Sequence, residues 1–427
     1  MFPKFEHEHV SYEELYKAYI DCRKHKRRTA NAASFQVNLS ENLYKLWVDL
    51  NKGYYKIGKS IAFIVDKPVK REVFAADFRD RIVHHLVINR MINSFERVVI
   101  NNSFSCRKGK GVLYGVKKLE EESKLVTNFY TKDAYVLKCD LKSFFMTINK
   151  SLLCEKIDKL IRAEVYPNDW KKYNFTTNLA QKIINNCPQD GCIRKQPKSK
   201  WFGLPKEKSL FTTPRTHGLP IGNLTSQIFA NFFLTDFDKF IYNELGFKYY
   251  GRYVDDFYIL SNNKDDLLNA IPKIKNKLKE IGINLHPNKL YLQNIKNGVK
   301  FIGAVIKPNR VYAGKRTIGN LKYVLEKTSE NFKNKDITIE EVNKLVASFN
   351  SYMGFLKHHA TFKIRKKIIT GNLIKPFISK CYFDHNFSKM IPFQEYSYYN
   401  KGISYKELMI NPDRISFNHN YIPVIIK

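Results

Sequence analysis

Two adjacent carboxylates, Asp255 and Asp256, lie inside a run of aromatic and β-branched residues that extends over positions 251–260. These flanks predict two strands, so the acids fall where one strand turns into the next, at the tip of a hairpin. Like charges this close repel each other, and a hard divalent cation such as Mg²⁺ relieves the repulsion by binding carboxylate oxygens. A solvated acidic turn is the alternative, and this motif alone does not decide between them.

A third carboxylate, Asp140, ends an apolar run at 135–139 that predicts a buried strand. Three carboxylates on neighbouring strands can hold two cations about 3.5–4 Å apart, an arrangement that serves in-line phosphoryl displacement. One cation would lower the pKa of an attacking hydroxyl, and the other would bind the leaving oxygens. Taken alone, Asp140 would be an ordinary residue at a strand end, so the prediction depends on all three acids.

The composition indicates a polyanionic partner. Among 427 residues, 73 Lys and Arg stand against 40 Asp and Glu, which gives a net charge of +33. Such an excess on a chain that is 44% hydrophobic, and so able to form a core, points to nucleic acid. An anionic membrane surface is the competing partner, but no uninterrupted apolar stretch approaches the ~20 residues of a membrane span.

Localisation is predicted from the N-terminus and the cysteines. The first residues contain no apolar signal-peptide core, which predicts a cytoplasmic protein. The seven cysteines are odd in number and scattered. That pattern argues against a disulfide framework and fits a reducing compartment.

The elements that must position the acids follow from hydrophobic periodicity. Residues 11–50 predict helices, with a capping box at Ser11 and Glu14, and the basic run at 22–28 is either a phosphate contact or a solvated helix face. Strands are predicted at 54–57, 61–65 and 71–74, so that Lys67, Lys70 and Arg71 lie at a hairpin tip, as a triphosphate contact or a solvated turn. A Gly-Lys loop at 102–111 can approach a nucleic-acid backbone, and a Gly/Pro loop at 218–227 opens a long apolar helix. The basic stretch at 190–208 predicts a long loop over the region that carries the acids.

Together these blocks resemble the reverse transcriptases. Asp140 with Phe144 and Phe145 resembles their motif A, residues 218–227 motif B, residues 253–256 motif C, and residues 285–289 motif D. The resemblance implies RNA-directed DNA synthesis, with Asp140, Asp255 and Asp256 binding two Mg²⁺ ions (Mn²⁺ is the alternative ion) and Lys289 as general acid.

The same resemblance assigns further site residues. Arg71 and Lys70 would contact the incoming dNTP, and Phe145 would exclude a ribose 2′-hydroxyl. Tyr253 would pack beneath the primer end. Ile221, Gly222 and Gln227 would line the nucleotide site. Implied partners are template RNA, the primer or cDNA strand and dNTPs, without a membrane.

Within that family, the details resemble the reverse transcriptases of diversity-generating retroelements. Motif B carries Ile221 and Gln227 where most members have Gln and Pro, and residues 74–81 and 105–111 are similar to that branch. The resemblance implies cDNA synthesis that errs at template adenines for mutagenic retrohoming, together with a small helical accessory protein. A defence-associated (antiphage) reverse transcriptase is the alternative, and a non-catalytic RNA-binding scaffold is a more distant one.

The expected fold is an α+β right-hand polymerase. Its predicted parts are an N-terminal helical extension (1–50), fingers (51–135), a palm with an antiparallel sheet (136–300, insertion at about 155–215), a primer grip and helical thumb (301–380) and a C-terminal extension (381–427).

Overall fold

The computed structural model describes residues 7–24, 29–66, 69–332 and 337–396. Most of the basic run at 22–28, the hairpin-tip residue Lys67 and the tail beyond residue 396 therefore lie outside the described residues. The chain divides into one compact unit of residues 1–115 and 134–293 and a second of residues 116–133 and 294–427. In the part of the chain that is described, no helix is long and apolar enough to cross a membrane.

Helices and strands alternate irregularly along the chain, as in an α+β protein. The helices are α1 (Tyr12–Arg23), α2 (Ala30–Val37), α3 (Leu39–Asn51), α4 (Phe78–Val98), α5 (Val112–Val126), α6 (Phe144–Thr147), α7 (Lys150–Leu160), α8 (Trp170–Asn185), α9 (Leu224–Phe233), α10 (Thr235–Lys239), α11 (Lys264–Glu280), α12 (Lys315–Phe332), α13 (Ile339–Leu356) and α14 (Phe362–Ile369). The strands are β1 (Ile61–Val65), β2 (Arg71–Ala75), β3 (Tyr135–Asp140), β4 (Ile193–Arg194), β5 (Tyr249–Tyr253), β6 (Asp256–Ser261), β7 (Tyr291–Asn294), β8 (Val299–Phe301), β9 (Ala304–Lys307), β10 (Arg310–Ala313), β11 (Cys381–Phe383) and β12 (Met390–Pro392).

The largest sheet lies in the first unit, with strand order β5-β6-β3-β7. β5 and β6 form the hairpin that the sequence predicts, and β3 pairs antiparallel with β6 along its whole length. The β6 residues Phe257, Tyr258 and Ile259 are fully buried, because helices cover the sheet with apolar side chains. This sheet is the predicted palm sheet, and its antiparallel character is confirmed.

A second sheet carries the predicted fingertip hairpin. β1 and β2 pair antiparallel from Ile61↔Ala75 to Val65↔Arg71, as predicted. The basic stretch at 190–208, predicted as an insertion or a long loop, contributes a strand to this sheet: β4 pairs parallel with β1 and completes the order β2-β1-β4. The polar sequence hid this short strand, because its two residues are exposed and show no alternation.

The helices predicted over 11–50 are confirmed as α1, α2 and α3, but the predicted capping box is only half formed, because the Glu14 carboxylate pairs with Arg90. The Ser11 side chain accepts a hydrogen bond from the Glu14 backbone N–H at 3.2 Å, and the periodic apolar residues of α3 are buried. The strand predicted at 54–57 is wrong, because these residues form an irregular segment. Tyr55 in this segment is nevertheless buried, and its hydroxyl donates a hydrogen bond to the Asp80 carboxylate at 2.8 Å.

The second unit contains the residues that are predicted as the primer-grip hairpin and as the thumb helices. β8 and β9 are joined through Ile302 and Gly303, whose φ angles of 36° and 90° make a tight turn. The helices α12, α13 and α14 share a core with β11 and β12, which form a small antiparallel pair. None of the seven cysteines forms a disulfide, as the sequence predicts.

Candidate active site

The three predicted metal-binding carboxylates meet at one end of the palm sheet. Asp140 is the last residue of β3 and lies directly opposite Asp256, the first residue of β6. Asp255 occupies the turn between β5 and β6, and its carbonyl accepts a hydrogen bond from the Leu141 N–H at 2.9 Å. The fold thus brings Asp140 next to the Asp255–Asp256 pair, as the sequence predicts.

Two lysines neutralise part of this negative charge. Lys289 places its Nζ 3.0 Å from both carboxylate oxygens of Asp140. Lys138, two residues before Asp140 on β3, forms an ion pair with Asp256. The segment that carries Lys289 is fixed to the site, because the His286 N–H donates to the Asp140 carbonyl at 2.7 Å.

Burial is the main cause of the raised pKa values of the two adjacent acids. Burial raises the pKa of Asp255, the charge of Asp140 raises it further, and Lys289 and Arg71 oppose the shift. Burial raises the pKa of Asp256 to about 6, against the lowering effect of Lys138. Additional positive charge at this site would therefore favour the ionised carboxylates.

The donor set suits a hard divalent cation, because all three candidate ligands offer carboxylate oxygens. Within the described residues, no group of three or more His, Cys, Asp and Glu side chains is already arranged to hold a metal ion. Lys138 and Lys289 instead make the close contacts to the carboxylates. The residues present fit a cation in their chemistry, and binding would require these lysine contacts to rearrange.

The turn that carries Asp255 has an unusual backbone. Val254, its first central residue, has φ of 59°, a conformation that β-branched residues rarely adopt and that turns of this kind usually assign to glycine. Such strain costs on the order of 1–3 kcal/mol and persists only where the surroundings enforce it. The surroundings of this turn are therefore part of the site.

A buried ion pair beneath the turn provides that enforcement. Arg252 and Asp238 are both fully buried and joined by hydrogen bonds of 2.7 Å and 2.5 Å. Arg252 also donates to the Val254 carbonyl at 3.0 Å, and to the Oδ1 of Asn231 at 2.9 Å. Sequence reasoning missed these residues, although a charged residue in the middle of an apolar strand is a signal that could have found Arg252.

The predicted motif B loop is joined to the fingertip hairpin. The Phe74 N–H donates to the Ile221 carbonyl at 2.9 Å, and the Ala76 N–H donates to Asn223 Oδ1 at 3.0 Å. Gly222 has φ of 120°, and a Cβ at this position would lie 2.7 Å from Val73 Cγ1. Only glycine lets the loop approach β2 this closely.

The structure places the remaining predicted residues around this core in different ways. Arg71 is exposed on β2 and acts electrostatically on Asp255, whereas the Nζ of Lys70 donates to the Phe202 carbonyl at 2.5 Å. Phe145 is half-buried, and its backbone carbonyl accepts a hydrogen bond from the Leu219 N–H at 2.8 Å. The half-buried Ile221 packs against a small apolar cluster that includes Phe74.

Gln227 and Tyr253 lie beside the predicted Gly-Lys loop. The thiol of Cys106 in this loop donates to Gln227 Oε1 at 3.4 Å. The pKa of Tyr253 is raised mainly by burial and to a smaller extent by the nearby Cys106. The same loop extends along β5, since the Phe104 N–H donates to the Arg252 carbonyl at 2.9 Å. The loop therefore supports the edge strand of the site, which its glycines and lysines did not predict.

Comparison with known proteins identifies the family of the matched region. Residues 70–306 match the family model described as "Reverse transcriptase (RNA-dependent DNA polymerase)". This match, more than half of the chain, includes all three carboxylates and Lys289, and with the α+β architecture it confirms the predicted right-hand polymerase fold class. A search of the curated proteins found no match to the chain.

Several solved telomerase structures are similar to the chain. Apo telomerase from Candida tropicalis, truncated from its C-terminal domain, is 14% identical with a TM-score of 0.42, over 63% of this chain and 60% of that one. Candida albicans telomerase in complex with a fragment of telomeric RNA is 11% identical with a TM-score of 0.43, over 76% and 59%. Another apo Candida tropicalis structure is 14% identical with a TM-score of 0.44, over 75% and 61%. The matched region thus spans about three fifths of each of these proteins.

Proposed function

The chain belongs to the reverse transcriptase family, and from that premise we propose that it is an RNA-directed DNA polymerase that copies a template RNA into cDNA. The observation that carries the proposal is the meeting of Asp140, Asp255 and Asp256 at the junction of β3 with the β5–β6 turn. Three partly neutralised carboxylates so close together are costly for a protein that only binds RNA. A polymerase, by contrast, needs them for phosphoryl transfer.

We assign the metal ligands to Asp140, Asp255 and Asp256, with two Mg²⁺ ions as the cofactor and Mn²⁺ as the alternative. When bound, these ions would lower the pKa of the primer 3′-hydroxyl and stabilise the leaving pyrophosphate. The side chains of the site would hold the ions and orient the primer and the dNTP. Tyr253, half-buried next to the turn, would support the primer end, and the exposed Arg71 would bind the triphosphate of the dNTP.

Lys289 is the proposed general acid. Its ammonium lies 3.0 Å from Asp140 and carries a proton that could pass to the departing pyrophosphate oxygen. Lys70 is proposed as a second triphosphate contact, although its present partner is the Phe202 carbonyl. The Lys70 ammonium has three N–H donors, so a triphosphate contact would use those that do not bond to this carbonyl.

The shape of the nucleotide site is proposed to come from four residues. Phe145 would exclude a ribose 2′-hydroxyl, and Ile221, Gly222 and Gln227 would border the new base pair. Ile221 offers shape but no hydrogen bond, so a contact that a glutamine could make near the nascent sugar or base is lost. Losing one such contact removes about 1–3 kcal/mol of discrimination, or roughly tenfold to a hundredfold in selectivity.

On this basis we further propose that the enzyme is error-prone at template adenines and serves mutagenic retrohoming in a diversity-generating retroelement. A small helical accessory protein would then be a partner alongside template RNA, primer or cDNA and dNTPs. The large positive charge of the chain supports polyanionic partners in general.

The test is primer extension on a defined RNA template with all four dNTPs and Mg²⁺, followed by sequencing of the products. Replacing Asp255 and Asp256 together by Ala should abolish extension. The matched control replaces Asp265 and Asp266 by Ala. These adjacent acids are exposed in the first turn of α11, and the control variant should extend the primer like wild type. Extension that survives loss of Asp255 and Asp256 would refute the metal assignment.

The product sequences test the finer proposal. Errors concentrated at template adenines, and reduced by Ile221→Gln, would support a diversity-generating enzyme. Accurate or untemplated repetitive products would instead support an antiphage reverse transcriptase. RNA binding without extension under every metal condition would leave a non-catalytic scaffold.

A further inference from the structure

The basic segment between motifs A and B is built into the fingertip sheet by a buried carboxylate. Glu72 on β2 is 1% exposed and accepts hydrogen bonds from Trp201 Nε1 at 2.7 Å, from Ser209 Oγ at 2.8 Å and from the Leu210 N–H at 2.7 Å. All three donors belong to the segment at 193–212, here called the insert. Glu72 therefore attaches the insert to β2 through three hydrogen bonds to a charged acceptor.

A second clamp lies at the other end of the insert. The Gln196 side chain accepts from the Ile64 N–H at 2.7 Å and donates to the Ile64 carbonyl at 3.3 Å, which continues the pairing of β4 with β1. Lys70 binds the Phe202 carbonyl, and Lys200 lies 3.8 Å from Asp66. The insert is therefore fixed along the length of the hairpin that carries Arg71.

The surface that this fixed segment presents is basic and aromatic. The insert contains six basic residues against the single acid Glu207. Phe202 is 78% exposed, and Arg194 lies over the ring of Phe211 at 4.5 Å. An open cavity of about 280 Å³ is lined by Arg194, Lys198, Lys206, Trp201 and Phe211 among others, and none of its lining residues is acidic.

One exposed aromatic ring, Phe202, and the half-buried rings of Trp201 and Phe211 lie among cations, a combination that matches the chemistry of unpaired nucleotides. The rings offer stacking faces to bases, and the cations follow the phosphates. Bases within a primer–template duplex are already stacked and paired, so their faces are not available to such rings. The unpaired part of the substrate is the template that has not yet been copied.

We propose that the insert binds the uncopied, single-stranded RNA template, with Phe202 as a stacking residue and Lys198 and Lys206 as phosphate contacts. The inference rests on the proposed polymerase function. It adds a binding surface, built by this chain's own insert, that leads the template toward the fingertip hairpin.

The test measures binding of the full chain to two primer–templates that differ only in the unpaired 5′ template. One has an overhang of about 12 nucleotides, within the range that such surfaces cover, and the other about 2. Wild type should bind the longer overhang more tightly. Combined Phe202→Ala, Lys198→Gln and Lys206→Gln should remove that preference, weakening the long-overhang complex by about tenfold or more. The slope of log binding constant against log salt concentration should become shallower by about 1.4, since two phosphate contacts are removed and about 0.7 is expected for each.

The matched control combines Trp170→Ala, Lys171→Gln and Lys172→Gln, which also removes one exposed aromatic residue and two exposed lysines. It should retain the overhang preference, as should Phe202→Tyr, which keeps a stacking ring. The inference is overturned if the insert variant prefers the long overhang like wild type, if it loses affinity equally for both substrates, or if the control loses as much. It is also overturned if wild type ignores overhang length, which would favour a protein partner on this surface. Failure of wild type to bind either substrate would refute the polymerase function itself.

Discussion

The two hairpins of the first unit both depend on a buried charge, but they use it differently. Beneath the β5–β6 hairpin, Arg252 and Asp238 form a fully buried pair that fixes a strained turn at the acids. In the β1–β2 hairpin, Glu72 is a buried carboxylate that takes its hydrogen bonds from neutral donors of the insert. The Asp238 carboxylate is thus neutralised by a buried cation, whereas the Glu72 carboxylate accepts hydrogen bonds from the insert.

The difference indicates how each region tolerates change. Breaking a buried ion pair leaves an uncompensated charge in the core, which destabilises the whole unit. Losing the Glu72 carboxylate leaves donors on a peripheral segment that can move out into water. Loss of the buried charge pair at the β5–β6 hairpin is thus expected to unfold the whole unit. Loss of the Glu72 carboxylate is expected to release only the insert.

Arg252→Met should have the largest effect on stability. It leaves the Asp238 carboxylate buried without its cation, and we expect the free energy of unfolding in urea to fall by about 3–5 kcal/mol. The variant Arg252→Met with Asp238→Leu should recover most of that loss, because both charges are then gone. Its primer extension should nevertheless stay low, since the Val254 carbonyl still lacks its donor. A fully active double variant would show that the turn does not need Arg252.

Glu72→Ala should cost less, about 1–3 kcal/mol, because the freed donors of the insert can reach water. The sharper readout is limited proteolysis, in which cleavage within 195–208 should accelerate while the rest of the first unit stays protected. Glu155→Gln on α7 is the control, since this exposed residue is paired only with a surface lysine. Uniform loss of protection across the unit would make the two hairpins alike and refute the distinction.

The acids at the palm hairpin predict a pH-dependent response to metal. The pKa of Asp256 is raised to about 6 in the fold. At a pH below the ordinary Asp pKa, protonated Asp256 therefore contributes its full stabilisation to the metal-free fold. That contribution is lost as the pH rises through about 6. Mg²⁺ should therefore raise the melting temperature more at pH 7.5 than at pH 5, where protons compete for the carboxylate. In Asp256→Asn this difference should shrink, and an unchanged difference would remove Asp256 from the metal site.

Val254→Gly should have the smallest effect. Relief of the positive φ is worth about 1–2 kcal/mol, and glycine gives back about 0.5–1 kcal/mol as added freedom of the unfolded chain. The net gain in unfolding free energy should therefore lie between about 0 and 1.5 kcal/mol. Asn309→Gly is the control, because asparagine already tolerates its φ of 57° and should gain less from glycine. A gain at Asn309 as large as that at Val254 would show that Val254 carries no special strain.

Local pattern predicted much of the catalytic region. Alternating and continuous apolar runs located β3, β5 and β6 and so placed Asp140, Asp255 and Asp256 at strand ends. The same reasoning failed for residues 54–57, where the aromatic residues lie in an irregular segment. Periodicity reports which side chains are buried, whereas a strand also requires a neighbouring backbone to pair with.

The sequence by itself determined the acids, the hairpin that presents two of them and the basic character of the chain. Only the tertiary structure decided that Lys138 and Lys289 pair with the acids and that the insert joins the fingertip sheet. The physical reason is distance along the chain: Trp201 meets Glu72 across 129 positions, and Lys289 meets Asp140 across 149. Local preferences set the strands and turns, but such contacts exist only once the packing of the core has brought the segments together.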